Sequence, residues 1–221
     1  MPLDYEARYR QQYADNVQDA PRAAYAGELD RKIDNFCSNF GFERNEVLRL
    51  IKSEPMFAAW FAKDPKKQNF YENNAAYFIE EIEGVENFIQ LSTRELYVLG
   101  GGVFTNDQIR ASGASTSAKS IDFRWNYNGT EYYASHKYTQ ESGGAQDNQF
   151  KDLKLFIKEC NGTNKECYFV AIADGAYYQQ QHNIRGTRTT KLDQLKQLTD
   201  RRKVYACTIN ELEALMLRLS S

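Results

Sequence analysis

Histidine is nearly absent from this chain of 221 residues: His136 and His182 are the only two, which excludes a histidine-rich metal centre. The four cysteines, Cys37, Cys160, Cys167 and Cys207, stand singly with no Cys-x-x-Cys pair. Neither a disulfide framework nor a zinc ribbon is indicated. No apolar run approaches the ~18–20 residues that a membrane helix needs, and the opening MPLDYEARYR lacks a signal peptide's apolar stretch. A cytoplasmic protein with reduced thiols is the expectation. The glycine triplet Gly100-Gly101-Gly102 has no following Lys-Ser/Thr, so it reads as a turn and not a phosphate loop. Neither histidine sits in a nucleophile-elbow setting, which argues against a serine hydrolase.

What is present is an ordinary globular composition with an uneven charge. The net charge is −2, with 42% hydrophobic and 26% charged residues. Residues 1–100 carry 12 Lys and Arg against 17 Asp and Glu, whereas residues 180–221 carry 8 against 4. Seven of those eight cations fall within 182–203, which suits either a solvated surface or a local contact with nucleic acid.

The first third reads as helical. Residues 1–35 show helical spacing that should break at Pro21. Residues 28–52 place Leu29, Ile33 and Phe36, then Val47, Leu48 and Ile51, on two short helices around Gly41. A third helix is expected from about Lys67 to Glu83, stopping at Gly84. Beyond residue 95, strands alternate with helices: ELYVL, KSIDFRW, EYYASHKYT, CYFVAIADG and KVYACT as strands, AQDNQFKDLKLFIKEC and INELEALMLRL as helices. The fold class is therefore α/β or α+β, with a mixed central sheet flanked by helices. The expected organisation is a helical N-terminal region over 1–66 and a core over 67–221.

The chemistry concentrates at one hairpin. A two-residue type I′ turn at Asn128-Gly129 makes paired positions sum to 257, so Asp122 lies opposite Ser135. Lys137 shares that face and reaches Asp122 on the diagonal, about 7–8 Å away. An acid and a lysine on one face suit metal-assisted phosphodiester hydrolysis, in which carboxylates hold Mg²⁺ and the lysine steadies developing charge. Magnesium takes hard oxygen ligands, matching a chain poor in histidine. The plainer alternative is a weak, exposed cross-strand ion pair.

SIDFRW, the hairpin, YYASHKYT and GGAQDNQFKDLKLFI together resemble the catalytic core of the PD-(D/E)XK nucleases, and more narrowly a type II restriction endonuclease. The resemblance covers roughly residues 68–210. It implies that Asp122 is the first acid, with Ser120-Ile121 where the family has proline, and that Lys137 is the lysine. Ser135 replaces the middle acid. One branch of restriction enzymes is similar in carrying Ser-x-Lys and takes its missing carboxylate from the following helix. That carboxylate falls at Asp152, with Asp147 as the alternate and Glu141 third; the strict count lands on Lys151. Glu72 resembles the glutamate that such enzymes place near the metal on an earlier helix. The resemblance further implies a restriction-endonuclease-like fold, a Mg²⁺ cofactor, double-stranded DNA as substrate, a homodimer and a companion DNA methyltransferase. A DNA- or partner-binding module with a degenerate metal site, or a structure-selective nuclease, is the alternative.

Between the last two strands lies a long polar connection, residues 177–191. It offers Gln179, Gln180, Gln181, Asn183, Arg185 and Arg188, side chains whose geometry suits bidentate contacts to base edges. A surface loop with incidental charge is the alternative. Asp174-Gly175 reads mainly as a turn and secondarily as part of a DNA-facing rim.

Overall fold

The computed structural model describes every residue except 1, 68, 93–94, 114–116, 141–143, 185–186 and 221. The chain forms two compact units, one made of Asp4–Tyr71 and the other of Met1–Leu3 with Glu72–Ser221. The helical unit holds α1 (Tyr5–Tyr25), α2 (Asp30–Phe40), α3 (Arg44–Ser53) and α4 (Pro55–Phe61). Ala20, Ala23, Leu29, Ile33, Val47, Ile51 and Phe61 form its core. Gly41 closes α2 in the left-handed region at φ +72°, as the spacing required.

Helix α1 does not break at Pro21 but runs through it. Proline deprives only the Val17 carbonyl of its donor, and it sits one turn from the helix end. Ala20, Ala23 and Ala24 on the same turn are buried and help to hold it in place. Helix α4, which the spacing did not reveal, begins with Pro55 in the first turn, where proline costs nothing. Helix α5 is shorter than expected, Phe70–Glu80.

The second unit is α+β. Its elements are β1 (Val85–Gln90), β2 (Leu96–Leu99), β3 (Gly102–Thr105), α6 (Asn106–Ser112), β4 (Lys119–Ser120), β5 (Phe123–Tyr127), β6 (Thr130–Tyr138), α7 (Gly144–Cys160), β7 (Cys167–Asp174), α8 (Ala176–Gln179), β8 (Gln181–Ile184), β9 (Thr187–Thr190), α9 (Lys191–Leu198), β10 (Val204–Cys207) and α10 (Ile209–Leu219). The central sheet runs β1-β5-β6-β7-β10. Its β1, β5 and β6 are antiparallel, whereas β6, β7 and β10 are parallel. The apolar run of β7 is buried along nearly its whole length, as a central strand covered on both faces must be.

Strand pairing assigns the two faces. Phe123 pairs with Ala134 and Tyr127 with Thr130, the register that the Asn128-Gly129 turn demanded. Both turn residues have positive φ, +48° and +75°. Tyr133, Phe169, Ala171 and Ala173 pack with Phe150, Leu153, Phe156 and Ile157 of α7. Trp125, stacked on Tyr132, faces the other way and donates its indole N–H to Met216 Sδ of α10 at 3.2 Å. The sheet is thus sandwiched between helices.

Among its described residues, the polar connection over 177–191 consists largely of secondary structure. Tyr177 and Tyr178 are buried in the α7-side core, and the remainder supplies the β8–β9 hairpin and leads into α9. Its polar composition hid the strands because a two-stranded ribbon needs no apolar face of its own. Arg185 and Glu141 lie outside the described residues.

Candidate active site

Asp122 stands where the chain changes sheets. Ile121 N–H donates to Leu96 O in the small β3-β2-β4 sheet, and Asp122 N–H donates to Ala134 O in the central one. Ile121 is buried and anchors this step, so the Asp122 backbone is held from both sides. Its carboxylate then gathers three donors on one oxygen. Oδ2 accepts from Ser135 Oγ at 3.0 Å, from the His136 backbone N–H at 2.8 Å and from Lys137 Nζ at 3.3 Å. Oδ1 has no hydrogen bond among the described residues, and the side chain retains 15% exposure. Ser135 is buried, whereas Lys137 is 27% exposed.

Alternation along β6 puts Ser135, Lys137 and Thr139 on the face covered by α7. Thr139 Oγ1 donates to Gln149 Oε1 of α7 at 2.5 Å. Tyr177 donates its hydroxyl to Asp147 Oδ1 at 2.5 Å. Burial, and then the neighbouring Asp147 carboxylate, push the Tyr177 phenol well above its ordinary range, so it remains a donor at neutral pH. The end of β6 is fastened to the β7–α8 corner, where Thr139 N–H donates to Asp174 O and Tyr177 N–H to Thr139 O. Gly175 makes that corner possible. At φ +98°, a Cβ there would stand 2.2 Å from Thr139 O.

Asp174 is not part of an exposed rim. It is buried, its Oδ2 lies 3.1 Å from His136 Nε2, and its Oδ1 accepts from Ile209 N–H at 2.9 Å. The His136 backbone thus serves Asp122 while its ring faces the α10 side. Neither the His136–Asp174 pair nor Gln149 was anticipated. Period-two alternation from Lys137 points to Thr139, but its α7 partner depends on tertiary packing.

The other acids are held apart from this cluster. Asp152 pairs with Lys119 of β4 at 3.1 Å, three residues before Asp122. Asp147 serves Tyr177. Glu72 Oε1 accepts from Gln90 Nε2 at 3.2 Å, and Gln90 is the cross-strand partner of Phe123, next to Asp122. The structure therefore brings Asp122, Ser135 and Lys137 together and leaves Glu72, Asp147 and Asp152 bonded elsewhere. Among the described residues, no group of three or more His, Cys, Asp or Glu side chains converges. Asp122 Oδ1 and Ser135 Oγ are hard oxygen atoms of the kind a hard cation takes.

Cations rim the α7 side. Lys191 Nζ lies 4.6 Å from the Phe150 ring centroid and 5.4 Å from that of Tyr177, and Lys154 Nζ lies 5.6 Å from Phe150. Of the side chains proposed for base reading, Gln179, Gln181 and Arg188 are exposed; Gln181 and Asn183 belong to β8, and Arg188 to β9, paired with Asn183.

No family model matches the chain, and no curated protein matches it. A search of solved structures finds protein VC1899 from Vibrio cholerae, 12% identical with a TM-score of 0.31 over 96% of this chain and 55% of that one. The chain spans about half the length of that protein. At that level the likeness bears on neither fold nor chemistry.

Proposed function

We propose that the chain is a Mg²⁺-dependent, sequence-specific double-strand DNA endonuclease of the type II restriction kind, working as a homodimer alongside a protective DNA methyltransferase. The observation that carries this reading is the convergence of Ser135, His136 N–H and Lys137 on Asp122 Oδ2, with Oδ1 left open. Asp122 and Ser135 would hold the cation, and Asp152 or Glu72 would complete the set after exchanging Lys119 or Gln90. Bound there, Mg²⁺ would polarise the scissile phosphate and acidify a water. Lys137, already oriented by Asp122, would stabilise the negative charge that develops on the phosphate. The Lys154 and Lys191 ammonium groups would neutralise the flanking backbone. Gln181, Asn183 and Arg188 of the β8–β9 ribbon, together with Gln179 at the end of α8 and Arg185, would read base edges.

A second reading has its own observation. Asp147 and Asp152 both have partners outside the Asp122 cluster, as expected of a DNA-binding module whose metal site has degenerated. Incubating the protein with phage DNA and Mg²⁺ separates the two. Discrete fragments that disappear with EDTA support the endonuclease. Specific binding without cutting supports the module, and a preference for branched substrates would make it a structure-selective nuclease.

A further inference from the structure

A second concavity lies around β10, the strand at the end of the central sheet. It is a cleft of about 670 Å³ whose lining comes from the α9 end, β10 and α10, among them Lys196, Arg201, Tyr205, Ala206, Leu215 and Arg218. That volume suits a small organic ligand and not a single ion. Its charge is one-sided. Glu211, the one carboxylate in the lining, is already paired with Lys196 at 3.0 Å. Neither Arg201 nor Arg218 has an ion pair among the described residues.

Arg201 is also held in an unfavourable backbone conformation, φ +55°. The surrounding turn over-determines it. Asp200 Oδ1 accepts from the N–H groups of Arg202, Lys203 and Val204 at 2.9, 3.0 and 3.0 Å. The Tyr205 hydroxyl donates to Arg201 O at 3.0 Å and to Arg202 O at 3.2 Å. Such strain persists where a side chain must be presented in one place. Here that side chain is a cation at the edge of the cleft.

The strand edge supplies the other half. Phe169 N–H donates to Lys203 O, so in a parallel ladder the N–H groups of Tyr205 and Cys207 face β7, and those of Val204, Ala206 and Thr208 face outward. Asp200 takes the Val204 N–H, and Glu211 Oε2 takes the Thr208 N–H at 2.8 Å. Ala206 alone keeps an outward N–H and C=O without partners among the described residues. Stopped at both ends by carboxylates, that window is too short to seat an added strand. It does match a heterocycle edge with an amino donor beside a ring-nitrogen acceptor.

We propose that this cleft binds an adenine nucleotide, with the base edge on the Ala206 backbone, apolar contact from Tyr205 and Leu215, and the phosphates between Arg201 and Arg218. The site is separate from Asp122, and its test reads binding and not cleavage. ADP, adenosine and inorganic pyrophosphate are titrated calorimetrically into the full-length protein. The expected result is saturable ADP binding, at least tenfold weaker binding of adenosine and of pyrophosphate, and a further tenfold loss of ADP affinity in Arg201→Glu and Arg218→Glu. Both variants change exposed side chains, and their circular dichroism should match that of the parent. No saturable ADP binding at millimolar concentration overturns the proposal. So does pyrophosphate binding as tightly as ADP, which would mean a mere anion patch, or unchanged ADP affinity in both folded variants.

Discussion

Asp122 is a carboxylate whose two oxygens have different work. Three donors saturate Oδ2, and each orients a neighbour: the Ser135 hydroxyl, the β6 backbone and the Lys137 ammonium. Lys137→Ala should lower Mg²⁺-dependent cleavage by several orders of magnitude while leaving DNA binding in Ca²⁺ largely intact. Asp122→Asn should abolish cutting, because an amide removes the charge that holds a hard cation. Single-turnover assays paired with band-shift titrations check both, and near-normal cutting by Lys137→Ala would remove the assignment. Asp200 gives a residue-scale prediction about stability. Burial raises its pKa, but the N–H groups of Arg202, Lys203 and Val204 outweigh this and hold the carboxyl below its ordinary value. A carboxyl depressed in the folded state stabilises above its unfolded pKa of about 3.9, and that contribution is lost as pH falls through the folded value. Asp200→Ala should therefore cost about 1–2 kcal/mol at pH 7. Thermal melts should show the gap to the parent beginning to narrow below about pH 4 and narrowing further as the pH falls through the depressed folded value; a gap that does not narrow at all on acidification would mean the loss is not electrostatic.

At the scale of elements, the β6 end and the β7–α8 corner act as one fastening. Gly175 adopts φ +98° and ψ +166°, a region essentially reserved for glycine. Gly175→Ala would also force a Cβ to 2.2 Å from Thr139 O, and backbone cannot move aside as a side-chain tip can. We expect a loss of more than about 2 kcal/mol, read from urea denaturation, together with weaker cleavage. Unchanged activity in a folded Gly175→Ala protein would show that the Thr139 fastening does not position Lys137. The β8–β9 ribbon has its own test. Arg188→Ala should cost ~1–3 kcal/mol of specific binding and relax discrimination at one base pair, as measured on all single-base variants of the site. A uniform loss with a shallower salt dependence would instead assign Arg188 to phosphate contact.

For the whole molecule, two-fold symmetry is the main expectation. If each Asp122 cluster cuts one strand, as proposed, double-strand cleavage at a palindrome calls for two copies related by a dyad. Sedimentation on a cognate duplex should give two chains per site, and end mapping should place the cuts symmetrically. One chain per duplex with cuts on both strands would contradict that arrangement.

The sequence by itself determined the elements whose physics is local. The Asn128-Gly129 turn sets the β5–β6 register from Tyr127↔Thr130 to Phe123↔Ala134, because its twist matches that of the strands it joins, and just beyond that register the Asp122 carboxylate meets the Ser135 hydroxyl. The β7 run declares a buried strand, and Gly41 ends α2, for similarly local reasons. Other features were legible only in part. The helix that became α7 was evident, but which of its side chains would face β6 was not. Gln149 meets Thr139 while Asp152 turns to Lys119, because both outcomes follow from how the helix lies on the sheet. Pro21 misled, since it falls in the last turn of α1, where it costs one bond, and the alanines around it are buried by packing that no short window reveals. Tyr177 read as the start of a polar loop, yet tertiary packing buries it and aims its hydroxyl at Asp147. The His136–Asp174 contact joins residues 38 positions apart. Only parallel pairing of β6 with β7 brings them side by side, and that pairing rests on the helix crossing between them and not on any signal within either strand.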